Sequence, residues 1–260
     1  MSRLHRRAFL TGLSALSLAG CDRITQNSSV QALLEATNQA SYRAQRFLQG
    51  REELAPEYSA ADISATFKAN GTTNPAGAAY KALAKTKFET WRLQVDGLVD
   101  APRAFSLAEL KAMPARTQIT RHDCVEGWSV IGQWIGVPLA TVLAAVKPKP
   151  DAHFVVFHCA DKDSDVSGAE GSLDGGEAPY YESIDFSDAL HPQTILAYAM
   201  NGQPLPVDHG APLRVRLERQ LGYKMAKYIM RIELVSTLKG LGDGKGGYWE
   251  DRGYDWYAGV

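Results

Sequence analysis

The chain has 260 residues, with 28 basic and 29 acidic side chains and a formal charge of −1. That balance leaves no basic face or arm for a phosphate backbone, which excludes the usual nucleic-acid binder. Beyond the N-terminal segment no run is long and apolar enough to cross a bilayer as a helix, and the remaining chain suffices for one sizeable domain with its own core.

The first residues include Arg6-Arg7-Ala-Phe9-Leu10, then a short apolar stretch ending in Leu18-Ala19-Gly20-Cys21. A basic start, a brief apolar run and a small-residue exit describe an export signal over residues 1–21. The paired arginines resemble the twin-arginine type, a route that resembles export of proteins folded beforehand around a cofactor. The Leu-Ala-Gly-Cys box resembles a lipoprotein cleavage site, with Cys21 as the lipid carrier and Asp22 resembling an inner-membrane retention signal. Two or more acyl chains anchor firmly, at roughly 0.8 kcal/mol per buried CH₂; an unlipidated signal cut nearby is the alternative. The signal holds three arginines and no acid, so the rest carries 25 basic against 29 acidic side chains, a charge of −4.

Residues 22–90 read as a tether (22–30), a helix over 31–49 stopped by Gly50, and an irregular stretch over 51–78 lying across a surface. From Trp91 to Val95 the alternation is that of a strand, meeting a hairpin-type turn at Asp96-Gly97. Ser106-Leu-Ala-Glu109 is a capping box opening a short helix that must end before Pro114. Strands are predicted over Thr117–Cys124, Phe154–Cys159, Thr194–Met200, Leu213–Leu217 and Tyr228–Val235. A helix is expected over Pro138–Val146, a turn at Asn201-Gly202, and a long surface loop over 160–179. This mixture is α+β without internal repeats. The aromatic tail, 241–260, is expected to be a strap or lid rather than a partner patch, because it lacks a period.

Two cysteines remain beyond the signal, Cys124 and Cys159, and in an oxidising compartment an even pair is by default a disulfide. A domain of this size does not need one. Cys124 sits in Arg121-His122-Asp123-Cys124-Val125-Glu126-Gly127-Trp128-Ser129, where a strand gives way to a Gly-bearing loop. A nucleophilic thiolate wants positive charge beside it, yet Arg121 is opposed by Asp123 and Glu126. A bound metal deprotonates a coordinating thiol outright, so ligation suits the residues better than nucleophilic attack. Zinc and iron–sulfur sites recruit several Cys or His at tight spacing, which are missing here. A lone thiolate serves if an organic group brings the other ligands.

Cys124-Val-Glu-Gly-Trp-Ser, with Trp134-Ile-Gly-Val-Pro-Leu139 after it, resembles the molybdopterin domain of the sulfite oxidase superfamily. The similarity is greatest to the small bacterial periplasmic branch that includes the methionine-sulfoxide reductase catalytic subunit. A second block, His209-Gly-Ala-Pro-Leu-Arg214 followed by Gly222-Tyr-Lys-Met225-Ala226-Lys227, resembles that family's pterin-phosphate loop. The blocks cover most of 91–240, the expected oxidoreductase domain. The resemblance implies a mixed-sheet fold with short helices, without a haem domain or a C-terminal immunoglobulin-like dimerisation domain. It also implies molybdenum on nucleotide-free molybdopterin, with Cys124 as metal ligand and catalytic residue. Arg214 is suited to a phosphate as a planar charged fork and Lys227 as a point charge, with backbone donors around Met225 and Ala226. Arg216 and Arg219 are expected to be exposed strand ends. His209 would bond the cofactor where the branch carries Asn, and Cys159 stands where it carries a cofactor-contacting Thr; either the thiol replaces that hydroxyl, or it only packs. A Cys124–Cys159 disulfide belongs to a cofactor-free form. Asn70 matches an Asn-bearing segment that crosses the cofactor in relatives.

His122 either points into the site or is a hydrogen-bonded structural histidine; His153, His158 and His191 read as structural, and Trp128 and Trp134 as core. The Cys-x-Gly-Asn-Arg pattern of sulfite oxidases is missing, and Asp123 and Glu126 make the surroundings acidic. This favours a neutral S-oxide, small or protein-bound, over sulfite. Without haem or cluster motifs, electrons come from a membrane haem protein or periplasmic cytochrome, and a monomer is expected. A sulfite-oxidising enzyme and a non-catalytic lipoprotein binding module are the other readings.

Overall fold

The computed structural model describes residues 27–50, 52–166 and 178–260. The export signal, the Cys21 lipidation site and residues 167–177 of the expected surface loop lie outside them. The described residues form two units, one ending at Gly50 and one reaching Val260.

The first unit is helix α1 (Ser28–Gln49). It begins inside the stretch expected to be a tether, because the Asn27 side chain accepts the Ser29 amide at 2.9 Å and caps it. It ends at Gly50, whose φ of 63° breaks the helical path.

In the second unit the helices are α2 (Ala78–Lys85), α3 (Leu107–Ala112), α4 (Leu139–Val146) and α5 (Phe186–Ala189). The strands begin with β1 (Arg92–Gly97), β2 (Arg103–Ser106), β3 (Arg116–Asp123), β4 (Ser129–Pro138) and β5 (Phe154–Lys162). They continue with β6 (Pro179–Asp185), β7 (Ile195–Met200), β8 (Gln203–Pro204), β9 (Arg214–Arg216) and β10 (Ile229–Val235). One sheet runs β2-β1-β10-β5-β6, the other β3-β4-β7-β8 with β9 also on β7; among the described residues only β1 and β10 pair in parallel. The architecture is the expected α+β arrangement of mixed sheets with short helices.

One core joins both sheets and α4: Leu93, Val95, Phe157 and Ile232 meet Val137, Leu196, Val215, Val142 and Val146. Burying apolar area at about 25 cal/mol per Å² drives this assembly. Because side chains alternate along a strand, Val215 joins that core while Arg214 and Arg216 turn to the other face of their sheet. There Trp134, Ile195, Ala197, Met200 and Leu205 form a second cluster under Phe67. The segment before α2 covers this face: Tyr58 donates to the Ile119 carbonyl at 2.8 Å and Ser64 to that of Ile131 at 3.0 Å. It therefore lies across a surface as the sequence indicated, and it brings Phe67–Thr72 over the strand ends.

Local signals survive in the structure. Ser106 and Glu109 form the reciprocal capping box of α3, and Asn201-Gly202, both with positive φ, is the two-residue turn joining β7 and β8. Asp96-Gly97 is different. These residues end β1 rather than turning, and an added Cβ on Gly97 would strike the Leu234 backbone of β10. The glycine serves close strand approach. The expected surface loop is also shorter than its composition implies, since β5 continues to Lys162 and both Asp161 and Asp163 are buried.

The tail is a strap. Tyr248 donates its amide to the Tyr181 carbonyl, Gly247 bridges Glu182, Gly259 bridges Gln220, and Tyr223 donates its hydroxyl to the Asp255 carbonyl. Lys224 is wholly buried between Glu182, at 2.6 Å, and Glu250 of the strap. Burial works against its charge, but the two carboxylates win and hold Lys224 above its ordinary range. Burial and the neighbouring Glu250 push Glu182 well above the usual carboxylate range, against the pull of Lys224.

Candidate active site

Cys124 follows β3 in a tight turn closed by its amide donating to the Trp128 carbonyl at 2.9 Å and by Gly127, φ 83°, donating back to the Cys124 carbonyl. The thiol is 6% exposed, and the Asn70 side-chain amide lies 3.4 Å from its sulfur. Burial raises its pKa, with the Glu126 amide, Lys68 and Asn70 pulling the other way. A protonated thiol is the resting form without a cation. This agrees with ligation rather than free nucleophilic attack.

Asn70 also touches the second half of the site. Its carbonyl accepts from the Lys227 ammonium at 2.7 Å, and the Thr72 carbonyl accepts from the same ammonium and from the Tyr228 hydroxyl. Burial and the neighbouring Arg214 pull Lys227 down to about 7. Arg214 is 4% exposed, donates to the His209 carbonyl at 3.1 Å and lies over the Trp134 ring at 5.0 Å. Its Nε has no partner among the described residues, and burial with Arg216 alongside lowers its pKa to about 9. Gly210, φ 109°, lets the chain pass here: an added Cβ would sit 2.9 Å from Lys227 Cβ. Two buried cations held on carbonyl oxygens, Arg214 with its Nε open, suit an anion, with Asp161 as a nearby buried carboxylate.

The other expected contacts divide. His209 already uses both ring nitrogens, Nδ1 with Asp208 at 2.7 Å and Nε2 with the Phe67 carbonyl at 3.2 Å. The Met225 and Ala226 amides donate within their own turn, to the carbonyls of Gly222 and Lys224. Offering those amides to a phosphate means sharing them. Cys159 is buried on β5 opposite Ile229, and both Cys124 and Cys159 are free thiols, not the disulfide weighed for a cofactor-free form.

Arg216 and Arg219 correct the sequence reading. Neither is an exposed strand end: Arg216 is 0% and Arg219 6% exposed. Arg216 donates to both Glu218 oxygens and, at 3.0 Å, to His122 Nδ1. That donation leaves the proton of a neutral imidazole on Nε2. Burial and then Arg216 keep His122 well below its ordinary pKa. Its ring packs against Gly222, where a Cβ would collide with it, so His122 supports the 222–224 turn. The ion-pair partner, Glu218, stands only two residues on, whereas His122 comes from another strand, which the local sequence does not announce.

Trp134 is core, but Trp128 is half-buried at the rim. Its indole N–H donates to Glu126 at 2.8 Å and Lys68 lies over its ring at 5.1 Å while pairing with Glu126 at 3.1 Å. Asp123 is likewise matched by Arg121 at 2.9 Å. The acidity near the thiol is thus balanced by Arg121, a sequence neighbour, and by Lys68, which only the fold brings to Glu126.

These residues fit molybdopterin: the buried Cys124 sulfur for a soft metal, and Arg214 and Lys227 for a phosphate, joined through Asn70. Comparison with known proteins agrees. A family model described as "Oxidoreductase molybdopterin binding domain" matches residues 80–239. A protein of Azospira oryzae, provisionally named protein-methionine-sulfoxide reductase subunit YedZ1, is 39% identical over 98% of this chain and 86% of its own length. Protein-methionine-sulfoxide reductase catalytic subunit MsrP of Ralstonia nicotianae is 39% identical over 56% of this chain and 44% of its own length. Among solved structures, the sulfane dehydrogenase SoxCD of Paracoccus pantotrophus superposes with a TM-score of 0.47 and 20% identity, over 57% of this chain and 39% of that one.

Proposed function

The chain belongs to the family of oxidoreductase molybdopterin-binding domains, and from that premise we propose that it reduces an S-oxide by oxygen-atom transfer, using molybdenum on nucleotide-free molybdopterin. Membership makes it an enzyme of the sulfite oxidase superfamily. When bound, the cofactor supplies the oxygen-atom transfer and its two electrons. The carrying observation is the buried Cys124 thiol linked through Asn70 to the site of Lys227 and of Arg214, whose Nε has no partner among the described residues.

Cys124 would hold the metal and Asn70 would orient its sulfur. Arg214 and Lys227 would take the phosphate, and His209, Cys159, Met225 and Ala226 would line the cofactor. Phe67, whose ring lies 5.5 Å from that of His209 and 5.4 Å from that of Trp134, packs on the covered face. A neutral S-oxide suits the rim: Arg121, the nearest arginine in sequence, is committed to Asp123, while Val125 and Trp128 offer apolar surface. The names of the two relatives support the same substrate class.

The Arg6-Arg7 and Leu18–Cys21 motifs support twin-arginine export, periplasmic residence and a lipid anchor at Cys21 in the inner membrane. A relative named as a subunit supports a separate electron donor, for which a membrane haem protein or periplasmic cytochrome is the natural chemistry. The test is metal and pterin analysis of natively exported protein. We expect about one molybdenum per chain, lost on Cys124→Ser, and faster reduction of an S-oxide than oxidation of sulfite. Faster sulfite oxidation overturns the substrate class, and a chain empty of molybdenum overturns the whole reading.

A further inference from the structure

Helix α1 has a face that the function proposed above does not use. At about 3.6 residues per turn, Val30, Leu33, Leu34, Ala44, Phe47 and Leu48 fall along one stripe, and Glu35, Gln39 and Arg46 along the opposite one. Leu33, Leu34, Phe47 and Leu48 are between 52% and 85% exposed. Thr37, on the apolar side, turns its hydroxyl back to the Leu33 carbonyl at 2.8 Å, so it does not oppose burial of that side. The polar side satisfies itself: Gln39 donates to Glu35 at 3.1 Å and Arg46 lies over the Tyr42 ring at 5.3 Å. Four large apolar side chains in water on one helix mark a surface that something covers. A helix takes most of its stability from burying such a face.

The neighbouring chain identifies the cover. Six residues, Asp22 to Asn27, separate Cys21 from α1. Even fully extended, that stretch keeps the start of the helix within about 25 Å of acyl chains on Cys21. A helix tethered so closely meets the bilayer at a high effective concentration. No helix among the described residues is long and apolar enough to cross a membrane, which leaves lying in the membrane plane as the way this face meets lipid. The helix carries two arginines, Arg43 and Arg46, against Glu35, a net charge of +1. Apolar insertion therefore supplies the binding, and headgroup charge adds little. We propose that α1 is a second membrane anchor, an in-plane amphipathic helix that buries Leu33, Leu34, Phe47 and Leu48 among the acyl chains of the bilayer. The inference rests on the lipid-anchor reading above and adds a surface that binds lipid without the Cys21 modification.

The test separates the two anchors. Full-length, natively exported protein with a specific protease site between Ile24 and Thr25 is reconstituted in vesicles of phosphatidylethanolamine and phosphatidylglycerol that hold no other protein, and the tether is then cut. The released end should leave the wild-type chain on the vesicles. The variant Leu33→Gln, Leu34→Gln, Phe47→Gln, Leu48→Gln should partition at least roughly tenfold less. Glutamine keeps the helix propensity, and an unchanged melting temperature reports an intact second unit. Wild-type chain lost from the vesicles on cutting, or the glutamine variant retained equally, overturns the proposal. Release as a dimer that the variant does not form overturns it too and gives the face to a second copy. Protein that never carries acyl chains overturns the anchor reading instead, and adding the same vesicles to that unmodified chain and to its glutamine variant then decides α1 by the same comparison.

Discussion

Arg216 carries the largest difference between what its sequence neighbourhood implies and what it does. In isolation Arg214-Val-Arg216 is an alternating strand with two charged outward positions. In the fold both arginines sit over Trp134, at 5.0 and 4.4 Å, and Arg216 is locked to Glu218 with both side chains wholly buried. Breaking a buried pair from one side leaves an uncompensated charge, which costs about 3–5 kcal/mol. Arg216→Met should therefore destabilise the protein by about that amount in denaturant unfolding. Arg216→Met with Glu218→Leu should recover much of the loss. A single variant within about 0.5 kcal/mol of wild type would remove Arg216 from the structural role given to it. His122 depends on the same arginine, so the single variant should also loosen the 222–224 turn.

At the scale of elements, the strap and the turn at 222–224 form one device. The turn 222–224 is short, and its amides bond only within itself, so its position comes from elsewhere. His122 supports it from β3, while Lys224 ties it to Glu182 on β6 and Glu250 on the strap. Tyr223 adds its hydroxyl bond to Asp255 and an edge contact with Tyr254 at 5.1 Å. Removing residues 246–260 should accelerate amide exchange over 222–226 by roughly tenfold or more, while β3 and β4 keep their protection. Exchange unchanged in the turn would make the strap a passive cover. The sequence identified a strap or lid from the missing period in its aromatics. Which of these it is depends on Glu250 reaching a lysine 26 positions away, and no local pattern encodes that contact.

For the whole molecule, the buried groups Asp161 and Lys227 set a pH signature. Burial raises Asp161 to about 6, against the pull of Thr72 and Lys227, and burial together with Arg214 lowers Lys227 to about 7. Asp161 is raised above its unfolded value, so the native state binds the extra proton and stability falls as pH rises from about 3.8 to about 6. Lys227 is depressed, so the unfolded chain binds the extra proton and stability rises with pH from about 7 to about 10.5. Between about 6 and 7 both groups are charged and buried. Cofactor-depleted protein should show a dip in melting temperature there, relative to an Asp161→Asn, Lys227→Met double variant. A bound phosphate favours charged Lys227 and should shallow the dip; identical pH profiles for the two proteins would remove this assignment.

The sequence by itself determined what neighbours along the chain control: the Ser106–Glu109 cap, the Asn201-Gly202 turn, the alternation of the strands, and a thiol placed where a strand ends. Motif order also identified the family, because Cys124 and the 209–227 blocks keep their residue types whatever surrounds them. Only tertiary structure decided which charges are buried and what they meet. Asn70, Cys124 and Lys227 are distant in the chain and touch because a covering segment crosses two strand ends. The cost of burying Lys224 depends on Glu182 and Glu250, partners that chain folding alone brings within reach, so composition reads such residues as surface.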